Sequence, residues 1–419
     1  MRVLGKRLCF GFLLSLFLVA SSFAQKKLTW QEVRDRFEKS NPTLLAGQIG
    51  IDESKASEIT AYLRPNPGLG LTVDQINPFN GGPPHSTFGS LLTVASLSYL
   101  HERQHKRELR LESAKGATEI AVSSQADLER TLLFALRGAF VGILQARAVL
   151  KVTQDNLAYW DQVLDISRTR FQAGDIAQID LDRLELQRVQ FESDEQTAEV
   201  NLRTAKITLL TLLNDRTPVD QFDVTGPFDF TDQLVPLDDF RGIAMANRPD
   251  LKAAVQAVDK AKVDHKLAVS NGSTDPTFGF DVGRNPPIDQ YIGFGVSIPL
   301  RVFDRNQGEK LRTQLDIDRN QKMLDATQAQ VFSDVDSAYA MVNSNIILLR
   351  PYKAKYLDQA VRVRETVRFS YEHGGAALLD FLNAENDYRS VQLNYVNLVG
   401  SYLTAAAQLN MAVGKEAIQ

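Results

Sequence analysis

Apolar residues along this chain keep two periods, and they do so in the same order twice. Between about Arg103 and Gln172 there is no proline, and Leu128, Leu132, Leu136, Phe140, Ile143 and Leu150 recur at helical spacing. That pattern predicts one helix of about 70 residues, or about 105 Å of length. The same period runs from Asn306 to His373, with Pro351 as the expected kink or restart. Gly174 and Gly374-Gly375 end these runs, and a second helix returns from each, to about Asn214 and Met411. The chain is therefore expected to hold two long antiparallel helical hairpins.

Four shorter segments keep a period of two or come close to it. Gly68 to Gln75 sets Leu69, Leu71 and Val73 against Gly70, Thr72 and Asp74. Thr277 to Gly283 sets Phe278, Phe280 and Val282 against Thr277, Gly279 and Asp281. Tyr291 to Leu300 sets Ile292, Phe294, Val296, Ile298 and Leu300 against Tyr291, Gly293, Gly295 and Ser297. Phe88 to Leu100 is the fourth and is less regular. Such alternation marks strands with one apolar face. The connecting stretches, Ile76 to Ser86 and Arg284 to Gln290, carry the Asn, Pro, Gly and Asp of exposed turns.

The two halves are copies. Asn41-Pro42-Thr43-Leu44 answers Arg248-Pro249-Asp250-Leu251, and Phe171-Gln172-Ala173-Gly174 answers Tyr371-Glu372-His373-Gly374. Asp180 and Glu185 match Asp380 and Glu385 at a constant offset of 200 residues. A period this long is a duplicated half and not a solenoid. The expected divisions are a signal segment at 1–24, a first repeat at 25–214, a linker at 215–236 with Pro218, Gly226, Pro227 and Pro236, and a second repeat at 237–419.

With 44% hydrophobic and 23% charged residues among 419, the composition is globular. Met1 to Ala24 has Arg2, Lys6 and Arg7, an apolar run and Ser22-Phe23-Ala24 at its end, the layout of a cleaved secretory signal. The one cysteine, Cys9, lies inside it, so the exported chain has no disulfide and no lipid anchor at the cleavage point. Losing the signal's three cations moves the formal net charge from -4 to -7. No basic patch is left for nucleic acid. No segment beyond Ala24 is expected to be apolar over the 18 or so residues of a membrane helix, so any membrane entry falls to the strands. Closing a spanning barrel takes at least about eight strands, so four must be shared between identical chains.

At these motifs the whole mature chain resembles the TolC-like outer-membrane efflux proteins. The likeness rests on Leu28-Thr29-Trp30-Gln31-Glu32 with Asn41-Pro42, on Leu63-Arg64-Pro65-Asn66-Pro67 before the first strand, and on the glycine-to-aspartate hairpin turns. The stretch from Ser297 to Gly308 is similar to the heavy-metal (cobalt–zinc–cadmium) branch. The resemblance implies a mainly α fold with a small β part. In it, long hairpins form an α-barrel, and four strands per chain contribute to a 12-stranded trimeric transmembrane β-barrel. It implies a passive exit duct in the outer membrane reaching into the periplasm, with no enzymatic activity, cofactor or bound metal. The implied partners are two further copies, a periplasmic adaptor, an inner-membrane pump of the RND type and outer-membrane lipid. By the same resemblance Asp180, Tyr371, Asp380 and Asn383 fall at a periplasmic gate, and Gly174, Asp175, Gly374 and Gly375 at the adaptor-docking turns. Ala376 and Asn383 depart from the arginine and second aspartate of one well-known relative, so the tip ion pair and the double acidic ring do not carry over intact.

Two other classes stand beside that reading. A coiled-coil scaffold fits the helical pattern alone but not the strands at one end of each hairpin. His101-Glu102-Arg103-Gln104-His105 spells H-E-x-x-H, which on a helix would place two histidines on one face for zinc, with Glu102 as general base. Against a peptidase, the motif falls at a strand-to-helix exit, where the matching half has Arg301-Val302-Phe303-Asp304-Arg305. No third ligand follows at a recognised spacing, although Glu119 and Glu129 are nominees, and the flank Lys106-Arg107-Glu108 is fully charged. A wet junction with two exposed histidines is the expectation. His373, beside Gly374, is expected to serve the helix dipole, and Trp30 and Trp160 to serve packing.

Overall fold

The structure is a computed structural model, describing residues 27–76 and 91–418. The expected signal segment with Cys9, and most of the Ile76–Ser86 turn, lie outside the described residues. The element order is α1 (Trp30–Ser40), α2 (Pro42–Ala61), β1 (Gly68–Asp74), β2 (Leu92–Leu100), α3 (Lys106–Ala173) and α4 (Gln178–Leu212). After a connecting segment it repeats as α5 (Leu237–Asn247), α6 (Pro249–Asn271), β3 (Thr277–Asn285), β4 (Ile288–Ser297), α7 (Gln307–Pro351), α8 (Leu357–Glu372) and α9 (Leu378–Val413).

Local chemistry sets the starts and stops. Asn41 ends α1 and caps α2: its side-chain oxygen accepts from the backbone N–H groups of Thr43 and Leu44, and Pro42 takes the first helical position. Pro249 repeats that start in α6. Pro351 cannot donate to the preceding turn, and α7 gives way there to one π-helical turn, Tyr352–Tyr356, before α8 resumes. The α3 helix spans 68 residues as a single element.

The expectation that no segment beyond Ala24 is apolar enough to cross a membrane as a helix does not hold, since one window of α3 passes by length and composition. Packing accounts for part of its apolarity. Leu136, Phe140, Ile143 and Leu144 are buried in a core with Val33, Phe37, Leu209 and Leu213, and Val141 lies in a second core with Val335, Val342 and Tyr402. The helix also outruns any bilayer by more than threefold.

The four strands form one antiparallel sheet in the order β1-β2-β3-β4, so the β2–β3 pairing joins the halves. Ladder partners share a face. Leu69, Leu97, Phe280 and Phe294 stand in one cross-sheet row on one face, and Gly70, Ser96, Asp281 and Gly293 in a row on the other. The apolar face is uncovered: Leu71 is 78% exposed and Phe294 85%. Two strand limits differ from expectation. The β4 strand stops at Ser297, three residues short of Leu300, because Pro299 has no N–H for the ladder. The β3 and β4 strands run further toward each other than expected, leaving Pro286-Pro287 as the turn.

Candidate functional site

The far end of the helical hairpins is built twice with the same bonds. Gly174 and Gly374 take φ of +82° and +74°, a left-handed conformation that costs glycine little. The N–H of Asp175 then donates to the Arg170 carbonyl at 2.8 Å, and that of Gly375 to the Ser370 carbonyl at 2.7 Å. These are helix-terminating turns with the 6→1 bond of a Schellman motif. Ala177 and Ala377 follow in extended conformation and start the return helices. Gly174, Asp175, Gly374 and Gly375 are all exposed at these turns.

Behind the turns one core ties all four helical segments together. Tyr371 of α8 stacks on Phe381 of α9, with ring centroids 5.0 Å apart and planes 9° apart. Phe381 stacks on Trp160 of α3, which also meets Phe191 of α4 at 5.0 Å. The Arg170 guanidinium lies 5.4 Å from the Tyr371 ring centroid. The Tyr371 hydroxyl is buried without a hydrogen-bond partner. Burial pushes it above the usual phenol range; Arg170 opposes that rise and Asp180 adds to it.

Of the residues expected at the gate, Tyr371 is buried and feels the charge of Asp180, while Asp380 and Asn383 are exposed. The Asp380 carboxylate accepts from the Ala377 N–H at 3.2 Å, the work of a helix-start aspartate. His373 bonds the Phe369 carbonyl through Nδ1 at 2.8 Å, and its ring packs on Phe369. Trp160 is fully buried, and Trp30 packs edge-on to Phe140.

Glu385 is the residue that sequence reasoning passed over. Its counterpart Glu185 is exposed and pairs with Arg168 at 3.0 Å, whereas Glu385 is buried, with Oε1 unpartnered. Tyr159, Arg364, Glu365 and Arg368 face it, and the Tyr159 hydroxyl is buried without a well-directed partner as well. Burial holds the Glu385 carboxyl above the usual range against the pull of Tyr159 and Arg364, and it pushes the Tyr159 phenol up too. A carboxyl with a raised folded pKa contributes stability that is complete below the unfolded value and is lost as pH rises through the folded one. Glu385→Gln, permanently neutral, should therefore stabilise the tip by about 1 kcal/mol at pH 8, with less gain at pH 5. Denaturant unfolding at the two pH values checks this; equal gains at both would show that Glu385 does not titrate between them.

The H-E-x-x-H segment is not helical, which removes the zinc peptidase reading. Gln104 and His105 have φ of +58° and +54°, and α3 begins only at Lys106. Both histidines are exposed, and Glu102 is engaged by both terminal nitrogens of Arg110, so it is not poised as a base. The junction is instead a structural lock. Lys106, 4% exposed, pairs with Asp275 at 2.6 Å and donates to the Ser273 carbonyl, while the Arg103 N–H donates to Asp275 at 2.9 Å. No group of metal-ligating side chains gathers anywhere among the described residues.

The family profile described as "Outer membrane efflux protein" matches residues 33–215 and 241–415. The chain belongs to the outer membrane efflux protein family. It is accordingly a non-enzymatic exit duct of a tripartite efflux system, seated in the outer membrane and extending into the periplasm. Among this efflux protein's relatives is the cobalt-zinc-cadmium resistance protein CzcC of Cupriavidus metallidurans, 21% identical over 90% of this chain and 87% of the relative. Another is the outer membrane protein TolC of Escherichia coli K12, 22% identical over 90% and 80%. In fold it is similar to the solved CusC channel, with a TM-score of 0.79 at 15% identity over 92% of each chain. It also resembles the open-state MtrE outer membrane channel of Neisseria gonorrhoeae, with a TM-score of 0.74 at 17% identity over 92% and 89%.

Proposed function

We propose that three copies of this chain close their sheets into one 12-stranded barrel and align their hairpins as a periplasmic tunnel. Through it an RND-type inner-membrane pump, bridged by a periplasmic adaptor, expels divalent metal cations. The observation that carries the assembly is the sheet itself: its exposed face is apolar from Leu69 to Val296, and among the described residues β1 and β4 each pair on one edge only. In lipid an open edge leaves backbone groups unsatisfied at several kcal/mol each. Joining β4 of one copy to β1 of the next removes both edges. The hairpin turns at Gly174-Asp175 and Gly374-Gly375, exposed and identically built, are the proposed adaptor contacts. Asp180, Tyr371, Asp380 and Asn383 are the proposed gate. Cargo of metal cations is supported by the relative named for cobalt, zinc and cadmium resistance.

The experiment is purification from outer membranes, mass determination in detergent and single-channel recording. A trimer with discrete openings is expected, and a monomer without them would overturn the assembly. Within that channel, Asp380→Asn keeps a side-chain oxygen for the Ala377 N–H and removes only charge. Cation-over-anion permeability should fall about twofold with assembly intact. Unchanged selectivity would take Asp380 out of the gate.

A further inference from the structure

We infer that Asp281, halfway along β3, sets the ion selectivity of the barrel itself, independently of the periplasmic tip. The inference rests on the closed barrel proposed above. Its own evidence is the composition of the face that turns away from lipid. At the level of Asp281 that face carries Gly70, Ser96 and Gly293, and the next level toward the helices carries Gly68, Ser98, Gly279 and Gly295. On these two levels the inner surface is therefore backbone and hydroxyl, with one charged side chain per chain standing out of it.

That side chain has a place made for it. A Cβ built on Gly293 would meet the Asp281 carboxylate at 2.4 Å, so the carboxylate lies over the bare glycine backbone. One level outward the same device recurs, since a Cβ on Gly283 would meet the Tyr291 ring at 3.0 Å. Asp281 has no ion pair or hydrogen bond with any described side chain, whereas Asp223, buried in the segment that connects the halves, pairs with Arg147, Lys206 and Lys27. No lysine or arginine shares its face on these levels.

Barrel geometry decides how far three such charges reach. Twelve strands spaced about 4.8 Å apart and tilted about 40° enclose a backbone cylinder of about 12 Å radius. Lying over Gly293, each carboxylate stands about 3 Å inside that cylinder, about 9 Å from the axis. The screening length in 0.1 M salt is about 10 Å, so the three fields overlap across the whole bore. A passing cation is attracted at every lateral position and an anion repelled, without a bound intermediate. For a duct whose cargo is cationic, this keeps the exit favourable after the gate has opened.

Cysteine chemistry gives the cleanest test, because Cys9 in the expected signal is the chain's one cysteine. Asp281→Cys, assembled in a planar bilayer, is recorded under a salt gradient before and after reaction with an anionic and with a cationic methanethiosulfonate. The cation-over-anion permeability ratio should fall about threefold on substitution, return toward the starting value with the anionic reagent and drop further with the cationic one. Channels that open normally yet keep one reversal potential through all four states overturn the role of Asp281 and leave the duct intact. Starting protein that gives no discrete openings overturns the barrel reading instead. Asp281→Asn supplies the same comparison should the cysteine variant assemble poorly.

Discussion

Replacing Phe294 with arginine should remove this protein from the outer membrane, while arginine at the adjacent Gly295 should leave it there. The two positions are consecutive on β4 and so point to opposite faces. Phe294 stands 85% exposed on the apolar face, at the β4 end of the row Leu69, Leu97, Phe280 and Phe294, with its ring 5.3 Å from that of Phe280. Arginine on the lipid face near the bilayer midplane costs about 2–4 kcal/mol. A barrel of three copies meets that cost three times. Gly295 faces the opposite side, where a new Cβ has nothing within 4 Å and an aqueous bore accepts the charge. Outer-membrane fractionation with heat-modifiable gel mobility separates the outcomes, and circular dichroism reports whether the long helices still form. Equal retention of both variants would mean that the apolar face does not meet lipid.

That contrast also shows what the sequence made legible. A period of two leaves no freedom about which side chains share a face, so the apolar set on β1, β3 and β4 was readable residue by residue. The long helices were readable because α3 runs from Lys106 to Ala173 without proline, and their ends because Gly174 and Gly374 adopt the conformation that glycine permits. Strand ends were less legible: Pro299 closed β4 early, and Pro286-Pro287 made a turn shorter than composition implied. The zinc-like motif misleads because its spelling carries no backbone, and Gln104 and His105 sit in left-handed conformations that no helix contains. The roles of Asp281 and Glu385 needed tertiary information. The first depends on the register that sets Gly293 beside it, the second on which face of α9 turns toward Tyr159.

At the other end of the molecule, Trp160→Ala should loosen the tip by about 3–5 kcal/mol, the usual cost of truncating a fully buried tryptophan. Trp160 is 0% exposed, donates through Nε1 to the Leu184 carbonyl at 3.0 Å, and lies between Phe191 and Phe381. Phe381 in turn carries Tyr371, so the indole is the central aromatic contact between the α3–α4 hairpin and the α8–α9 hairpin. Removing it opens a cavity in a tip that already buries several polar atoms without partners, among them the Tyr371 and Tyr159 hydroxyls and Glu385 Oε1. Water entering the loosened tip satisfies those of these atoms that it reaches, so the opened arrangement gains hydrogen bonds that the closed one lacks. The loss should therefore appear as local opening. Amide exchange should accelerate about 100-fold or more at Leu181–Phe191 and Tyr371–Phe381, as expected of about 3 kcal/mol of local opening free energy, with β1–β4 unchanged. Trp160→Phe, which keeps an aromatic ring in the stack but loses the Nε1 bond and part of the ring volume, should cost about 1–2 kcal/mol. Exchange that stays slow at the tip in the alanine variant would show that the hairpins are held elsewhere. The ion pairs between them, such as Arg389 with Asp194 at 2.5 Å, would then be the next contacts to remove.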